Sequence, residues 1–163
     1  MDSQSLQTLI DQHGAALKLI ASQYCDHAED AVQEALLALI DQHEPPRDVP
    51  AWMFTTVRRK AMNMTRAEVR RRKHHRHAGE NHAAWFCESP TEPSLPGDCQ
   101  AALKQLNPQN REIVILRIWG EQTFEQIATV VQLSLSTVHR RYQDAIAELE
   151  RHIADPTTTE INQ

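Results

Sequence analysis

Apolar residues recur by threes and fours along most of this chain, which is the spacing of helices that bury one face. Leu6, Leu9, Ile10, Leu17, Ile20 and Tyr24 predict a first amphipathic helix, with His13 on the same stripe as a core histidine rather than a ligand. A second helix is predicted over residues 28–42. Val32, Ala35, Leu36, Leu39 and Ile40 form its core face, and Asp30, Gln33, Glu34, Leu37 and Asp41 form the other. A solvated face needs no leucine, so Leu37 among the acids points to a partner-binding surface. Residues 43–50, HEPPRDVP, hold three prolines in eight positions and predict a stiff, non-helical loop. From about Ala51 a third helix carries two columns. Met53, Val57, Ala61 and Met64 are apolar and can pack on a core. Trp52, Thr56, Arg59, Asn63, Arg66 and Arg70 follow one another by four, three, four, three and four, which aligns the arginines. Trp52 is read as core rather than as a base-stacking platform.

The pattern breaks at residues 74–97, where His, Glu, Ser and the prolines at 90, 93 and 96 read as a polar linker without a core of its own. It resumes over residues 98–153. LNPQNREIVILRIWG predicts a helix with Pro108 in its first turn, Ile113, Leu116 and Trp119 facing the core, and Gly120 at its stop. Phe124, Ile127, Ala128 and Val131, then Val138, Tyr142, Ile146, Leu149 and Ile153, give two further apolar stripes separated by QLSLS. Ser134 or Ser136 can cap the second of these helices, with Ser136 preferred. Short helix, break and longer helix is the spacing of a helix-turn-helix, whose second helix meets the major groove through its N-terminal turns. Ser136, Thr137, His139, Arg140 and Arg141 occupy those turns. Arg141 is expected to meet a phosphate or an acid such as Glu148. Residues 154–163, with Pro156 and three threonines, read as a tail. The expected fold is therefore all-α: two small helical domains, 1–73 and 98–153, joined by a flexible linker at 74–97.

Charge sharpens the picture. The chain of 163 residues has a formal net charge of −5, yet residues 58–76 carry +8 between flanks of −7 and −6. A concentrated basic segment in an acidic chain fits a polyanion, and aligned arginines can track phosphates while Asn63 can reach base edges. Cys25, Cys87 and Cys99 are odd in number and lack CxxC spacing, which argues for a reducing, cytoplasmic setting rather than a disulfide framework. The first residues do not form a signal peptide, and no apolar run approaches the roughly 18 residues that span a bilayer, so membrane insertion is not expected.

These segments, in this order and at these separations, resemble the bacterial RNA polymerase sigma factors of the extracytoplasmic-function (ECF) class. HAEDAVQEALLALI is similar to their DAEDLVQEVFL-type segment, AWMFTTVRRKAMNMTRAEVRRRK to their promoter-melting helix, and residues 106–151 to their region 4. The resemblance implies a transcription initiation factor that is not an enzyme and has no catalytic residues, cofactor or metal. Its partners would be core RNA polymerase, promoter DNA and an anti-sigma factor. It implies that Asp30, Gln33, Glu34 and Leu37 meet the clamp coiled coil of the polymerase. Loop 43–50 would capture a flipped base of the minus-ten element, and Arg58, Arg59, Asn63, Arg66 and Arg70 would hold that element. Ser136, Thr137, His139, Arg140 and Arg141 would read the minus-thirty-five element. The linker, with Glu80, Glu88, Glu92 and Asp98, would thread a basic tunnel towards the RNA exit path. Asn63 stands where many members have aspartate, Gln132 and Ser136 where glycines are common, and Trp119 where tyrosine or phenylalanine is frequent.

Two other function classes compete with this reading. An ordinary helix-turn-helix regulator accounts for residues 98–153 but leaves the Asp30/Glu34 face and the proline loop unused. A metal-dependent hydrolase built on His74, His75, His77 and His82 would need ligands fixed by a scaffold, and these lie at the start of the linker with no accompanying carboxylate constellation.

Overall fold

A computed structural model describes residues 2–75 and 97–154. Seven helices account for the secondary structure among them, and they group into two compact units, described separately.

Unit 1 is a three-helix bundle. Helix α1 (Ser3–Ser22) is capped by Asp2, whose carboxylate accepts the Ser5 N–H at 2.9 Å. Hydrogen bonding from the Ser5 side chain, together with that backbone bond, holds the Asp2 carboxyl below its usual range. Helix α2 (Ala28–Ile40) has no side-chain cap, but Glu29 and Asp30 in its first turn suit the positive end of its dipole. Helix α3 (Val49–His75) is 27 residues long, about 40 Å at the usual rise. The core is made by Leu17 and Ile20 of α1, Ala31 and Ala35 of α2, and Met53, Phe54, Val57 and Ala61 of α3, all buried. His13 is buried among them, as its place on the stripe predicts, with its ring edge-on to Phe54 at 6.0 Å.

Several boundaries and faces differ from the sequence expectation. Helix α2 stops at Ile40 rather than residue 42, and Ile40 is 55% exposed instead of in the core. Ile10, placed on the first apolar stripe, is 38% exposed. The proline loop ends at Asp48: Val49 and Pro50 form the first turn of α3, where a proline costs no helical hydrogen bond, and the Asp48 carboxylate caps it by accepting the Ala51 N–H at 3.0 Å. At its other end α3 runs through His75, two residues into the segment read as linker.

Unit 2 comprises α4 (Gly97–Gln105), α5 (Pro108–Ile118), α6 (Phe124–Val131) and α7 (Leu135–Ala154). Pro108 sits at the start of α5 as predicted, behind the cap residue Asn107, which accepts the Asn110 N–H at 2.9 Å. Every residue from Asn110 to Leu116 is buried. Helix α5 is thus enclosed on all sides rather than on one face, and Val114 and Ile115 join Ile113 and Leu116 inside. Leu103, Leu106, Val114 and Ala145 form a core flanked by Trp119, Tyr142, Ile146 and Leu149. Ile153, expected on the last stripe, is 58% exposed in the final turn of α7.

Arg111 ties α4 to α5. Its guanidinium donates to the carbonyls of Leu103 (2.7 Å), Lys104 (2.9 Å) and Leu106 (2.9 Å). Those carbonyls close the C-terminal end of α4, where a cation is favoured. Burial lowers the guanidinium's proton affinity from its usual value, and the three bonds to carbonyl oxygens offset that desolvation.

The expectations for the linker, including His77, His82, Cys87, Glu80, Glu88 and Glu92, and for residues 155–163 lie outside the described residues. Among those described, Cys25 and Cys99 are free thiols, no group of His, Cys, Asp and Glu is arranged to hold a metal, and no helix is long and apolar enough to cross a membrane.

Candidate nucleic-acid interface

In α3 the predicted column separates into two parts. Trp52 is half-buried and Thr56 is buried, whereas Arg59, Asn63, Arg66 and Arg70 are all exposed. The register is unchanged, since these residues keep one column; what changes is the cover. Near Thr56 the face is packed by the bundle, and from Arg59 onward it is open. Three arginines and an amide therefore line one open stripe about three turns long. Arg58 does not join them. It is half-buried, with its guanidinium 5.5 Å from the centre of the Tyr24 ring, a cation–π contact at the C-terminal end of α1. The neighbouring Thr65 hydroxyl donates to the Tyr24 carbonyl, fixing α3 against the same turn.

The acidic face of α2 is open as well. Asp30, Gln33, Glu34 and Leu37 are exposed, Leu37 at 62%, and Ile40 at 55% extends the apolar strip beyond the residues chosen from sequence. Glu34 also faces inward along the unit's surface: its carboxylate accepts from Lys60 of α3 at 3.1 Å. The helix with the acidic face and the helix with the arginine stripe are thus joined by an ion pair. In the same way Lys18 of α1 donates to Glu29 at 2.8 Å, and that bond holds the Glu29 carboxyl below its usual range. The proline loop carries Glu44, Pro45 and Arg47 on the surface, with Pro46 half-buried.

In unit 2, α6 and α7 form the helix-turn-helix. Thr123 and Gln126 make a reciprocal capping box at the start of α6, with bonds of 3.2 Å and 2.7 Å. The turn is made by Gln132 in the left-handed conformation (φ 58°), the geometry for which glycine is usually chosen. An L-residue occupies it without altering the turn's hydrogen bonds: Leu133 N–H reaches the Ala128 carbonyl at 3.1 Å. Ser134, not Ser136, caps α7. Its Oγ accepts the Thr137 N–H at 3.2 Å and lies 2.7 Å from the Thr137 hydroxyl and 3.2 Å from that of Ser136. The helix begins one residue before Ser136, which removes Ser136 from the capping position.

The exposed face of α7 regroups accordingly. Ser136, His139 and Arg140 are exposed three and four residues apart, and Gln143 continues the same face one turn on. Gln143 went unnoticed in the sequence because the glutamine has no charge to mark it. Thr137 is half-buried with its hydroxyl held by Ser134. Arg141 is half-buried and donates to the Gln109 side chain at the start of α5; it does not reach Glu148, which lies 3.9 Å from His152. His139 rests on Phe124 of α6, ring centres 4.7 Å apart, and Phe124 also meets Tyr142 at 5.3 Å and the Arg117 guanidinium at 4.9 Å. The first residue of α6 thus serves as a platform that fixes the direction of His139 on α7.

Comparison with known proteins follows the same division. Residues 9–72 match Sigma-70 region 2, and residues 102–151 match Sigma-70, region 4. The chain is 30% identical over 145 residues to the ECF RNA polymerase sigma factor EcfG of Rhodopseudomonas palustris (strain TIE-1), covering 82% of this chain and 75% of that one. Among solved structures it is similar to the sigma factor RpoE of Bartonella quintana in complex with the anti-sigma factor NepR, with a TM-score of 0.67, 23% identity and coverage of 93% and 95% of the two chains. It is also similar to CnrH in complex with the cytosolic domain of CnrY, with a TM-score of 0.59, 21% identity and coverage of 96% and 92%. At that identity the two structures speak for the fold. Two matched regions in order and a curated relative spanned over most of its length show that this chain belongs to the ECF RNA polymerase sigma factor family.

Proposed function

We propose that this chain directs core RNA polymerase to promoters and opens them, with the work divided between its units. The acidic face of α2, with Leu37 and Ile40, docks on the polymerase. The stripe Arg59–Asn63–Arg66–Arg70 holds the minus-ten element, with loop 43–48 beside it for an unpaired base. The exposed face of α7 reads the minus-thirty-five element by way of His139 and Arg140. The chain performs no covalent step on this reading. It contributes binding energy, part of it realised only when bases are unpaired, and the polymerase makes RNA. The observation that carries the reading is the open arginine stripe on a helix anchored at its other end in the bundle, where Thr56 and Phe54 are buried. Such a stripe can hold phosphates at a fixed distance from the loop and from the α2 face.

Regulation by an anti-sigma factor belongs to the same proposal. RpoE was solved with the anti-sigma factor NepR, and CnrH with the cytosolic domain of CnrY. A partner of that kind would mask the α2 face or the α7 face.

Run-off transcription tests the proposal. Purified core polymerase and this chain, given templates selected from a randomised promoter library, should produce transcripts from a narrow set of paired upstream and downstream elements. Binding to duplex operators without core polymerase, and no transcript with it, would identify a plain helix-turn-helix regulator instead.

A further inference from the structure

The Glu34 carboxylate has two calls on it. It stands on the exposed face of α2 with Asp30, Gln33 and Leu37, and it accepts from the Lys60 ammonium of α3 at 3.1 Å. The Glu34 side chain is 49% exposed and that of Lys60 31%, so the pair lies at the surface, where an incoming cation can compete for the acid. A basic group docking on the α2 face meets both charges at once, attracted by one and repelled by the other. It takes the carboxylate by displacing the ammonium. Lys60 stands one residue after Arg59 and three before Asn63. It therefore lies about 60° around the axis from Asn63, and its bond to Glu34 puts it on the side of the arginine stripe that faces α2. Its flexible four-carbon stem lets the ammonium swing between α2 and the margin of the stripe. While Glu34 holds it, the stripe offers the cations of Arg59, Arg66 and Arg70; once released, Lys60 adds a fourth. Lys18 and Glu29 make a similar bridge between α1 and α2 at 2.8 Å, but breaking it frees no cation on α3.

We infer that Glu34 and Lys60 form an exchangeable latch that couples docking on polymerase to the grip on promoter DNA. A basic group of the polymerase takes Glu34, and the displaced Lys60 ammonium moves to a phosphate beside the arginine stripe. This rests on the readings of α2 as the docking face and of α3 as the promoter-binding helix. Coupling between two binding events is reciprocal, so promoter DNA, by drawing Lys60 away, tightens the hold on polymerase by the same factor.

The test uses the full chain with and without core polymerase. Lys60→Gln leaves Glu34 unoccupied, so its affinity for core polymerase without promoter should rise about two- to fivefold at low salt, the equivalent of one exposed ion pair. In the complex with polymerase the same variant should make the dependence of log promoter affinity on log salt shallower by about 0.9, one phosphate contact. In the chain alone, on the same duplex, it should leave that dependence at wild type, because Glu34 already holds Lys60. Lys60→Arg should keep the wild-type dependence in the complex. Glu34→Gln should make the dependence of the chain alone steeper by about 0.9, and adding Lys60→Gln should cancel the change. Glu29→Gln alters the charge equally but frees Lys18 instead, and should leave the dependence as it is. Circular dichroism should show the bundle intact, since both members of the pair lie at the surface. Unchanged or weaker binding of Lys60→Gln to core polymerase would overturn the latch. So would an equal loss of salt dependence with and without polymerase, which would make Lys60 a permanent DNA contact. A change in Glu29→Gln matching that in Glu34→Gln would reduce the effect to net charge and overturn it as well. Wild-type binding of Asp30→Arg with Leu37→Arg to core polymerase would instead remove the docking reading itself. If that variant is impaired while Lys60→Gln binds no tighter, the latch alone fails.

Discussion

Gln132 occupies a left-handed turn position (φ 58°) at which most side chains are strained by about 1 kcal/mol or more. Gln132→Gly should therefore raise the stability of unit 2 by up to about 1 kcal/mol, less the extra freedom that glycine gives the unfolded chain. Gln132→Val should lower it, because a β-branched side chain resists this conformation further. Urea unfolding followed by hydrogen exchange in unit 2 checks the order Gly above Gln above Val; a glycine variant less stable than wild type would show that the Gln132 side chain contributes something the turn geometry does not reveal. Arg111 is the opposite case, a charge whose work is structural. Arg111→Met removes three bonds to carbonyls at the end of α4 and should cost about 3 kcal/mol. The amides of α4 and α5 should lose protection in hydrogen exchange, while the salt dependence of DNA binding stays as in wild type.

At the scale of elements, α7 carries the sharpest prediction. Arg140 is exposed on the face proposed to read DNA and can bond two acceptors of guanine, worth about 1–3 kcal/mol of discrimination. Arg140→Ala should relax preference at one or two upstream base pairs, and His139→Ala should do so at a neighbouring pair, since Phe124 fixes its direction. Arg141→Ala should leave base preference unchanged and loosen the contact between α7 and α5, because its guanidinium is held by Gln109. A promoter-library readout decides it, and identical preferences in all three variants would remove α7 from sequence reading. The elements themselves were legible because their apolar residues repeat at helical spacing, whereas the side chains that cap them, Asp2, Asp48, Asn107 and Thr123, emerge only in the structure. The exposed face of α7 was less legible. Arg141 was already set apart from Arg140 as a contact to a phosphate or an acid, but its partner, the Gln109 side chain 32 residues earlier, was not legible. In α3 the arginine column was visible, but where the bundle stops covering it was not, since cover depends on the lengths of α1 and α2. Arg58 entered the site through the family resemblance, and the Tyr24 ring that holds it lies 34 residues earlier in the chain.

For the molecule as a whole, α2 is proposed to meet polymerase and α3 and α7 to meet DNA, and these roles can be separated by experiment. Because Glu34 holds Lys60, reversing its charge would disturb α3 as well; Asp30 and Leu37 make the cleaner pair. Asp30→Arg with Leu37→Arg should weaken binding to core polymerase, measured without promoter, by about ten- to a hundredfold. Wild-type affinity in that variant would remove this face from the interface. The central claim concerns promoter opening, and permanganate footprinting reads it directly. Core polymerase with this chain should render thymines reactive at the minus-ten element of a selected promoter at low salt. Arg59→Ala with Asn63→Ala should abolish that reactivity while Arg140→Ala retains it at saturating protein. Protection of the duplex with no reactive thymine, in the wild-type complex, would contradict the account.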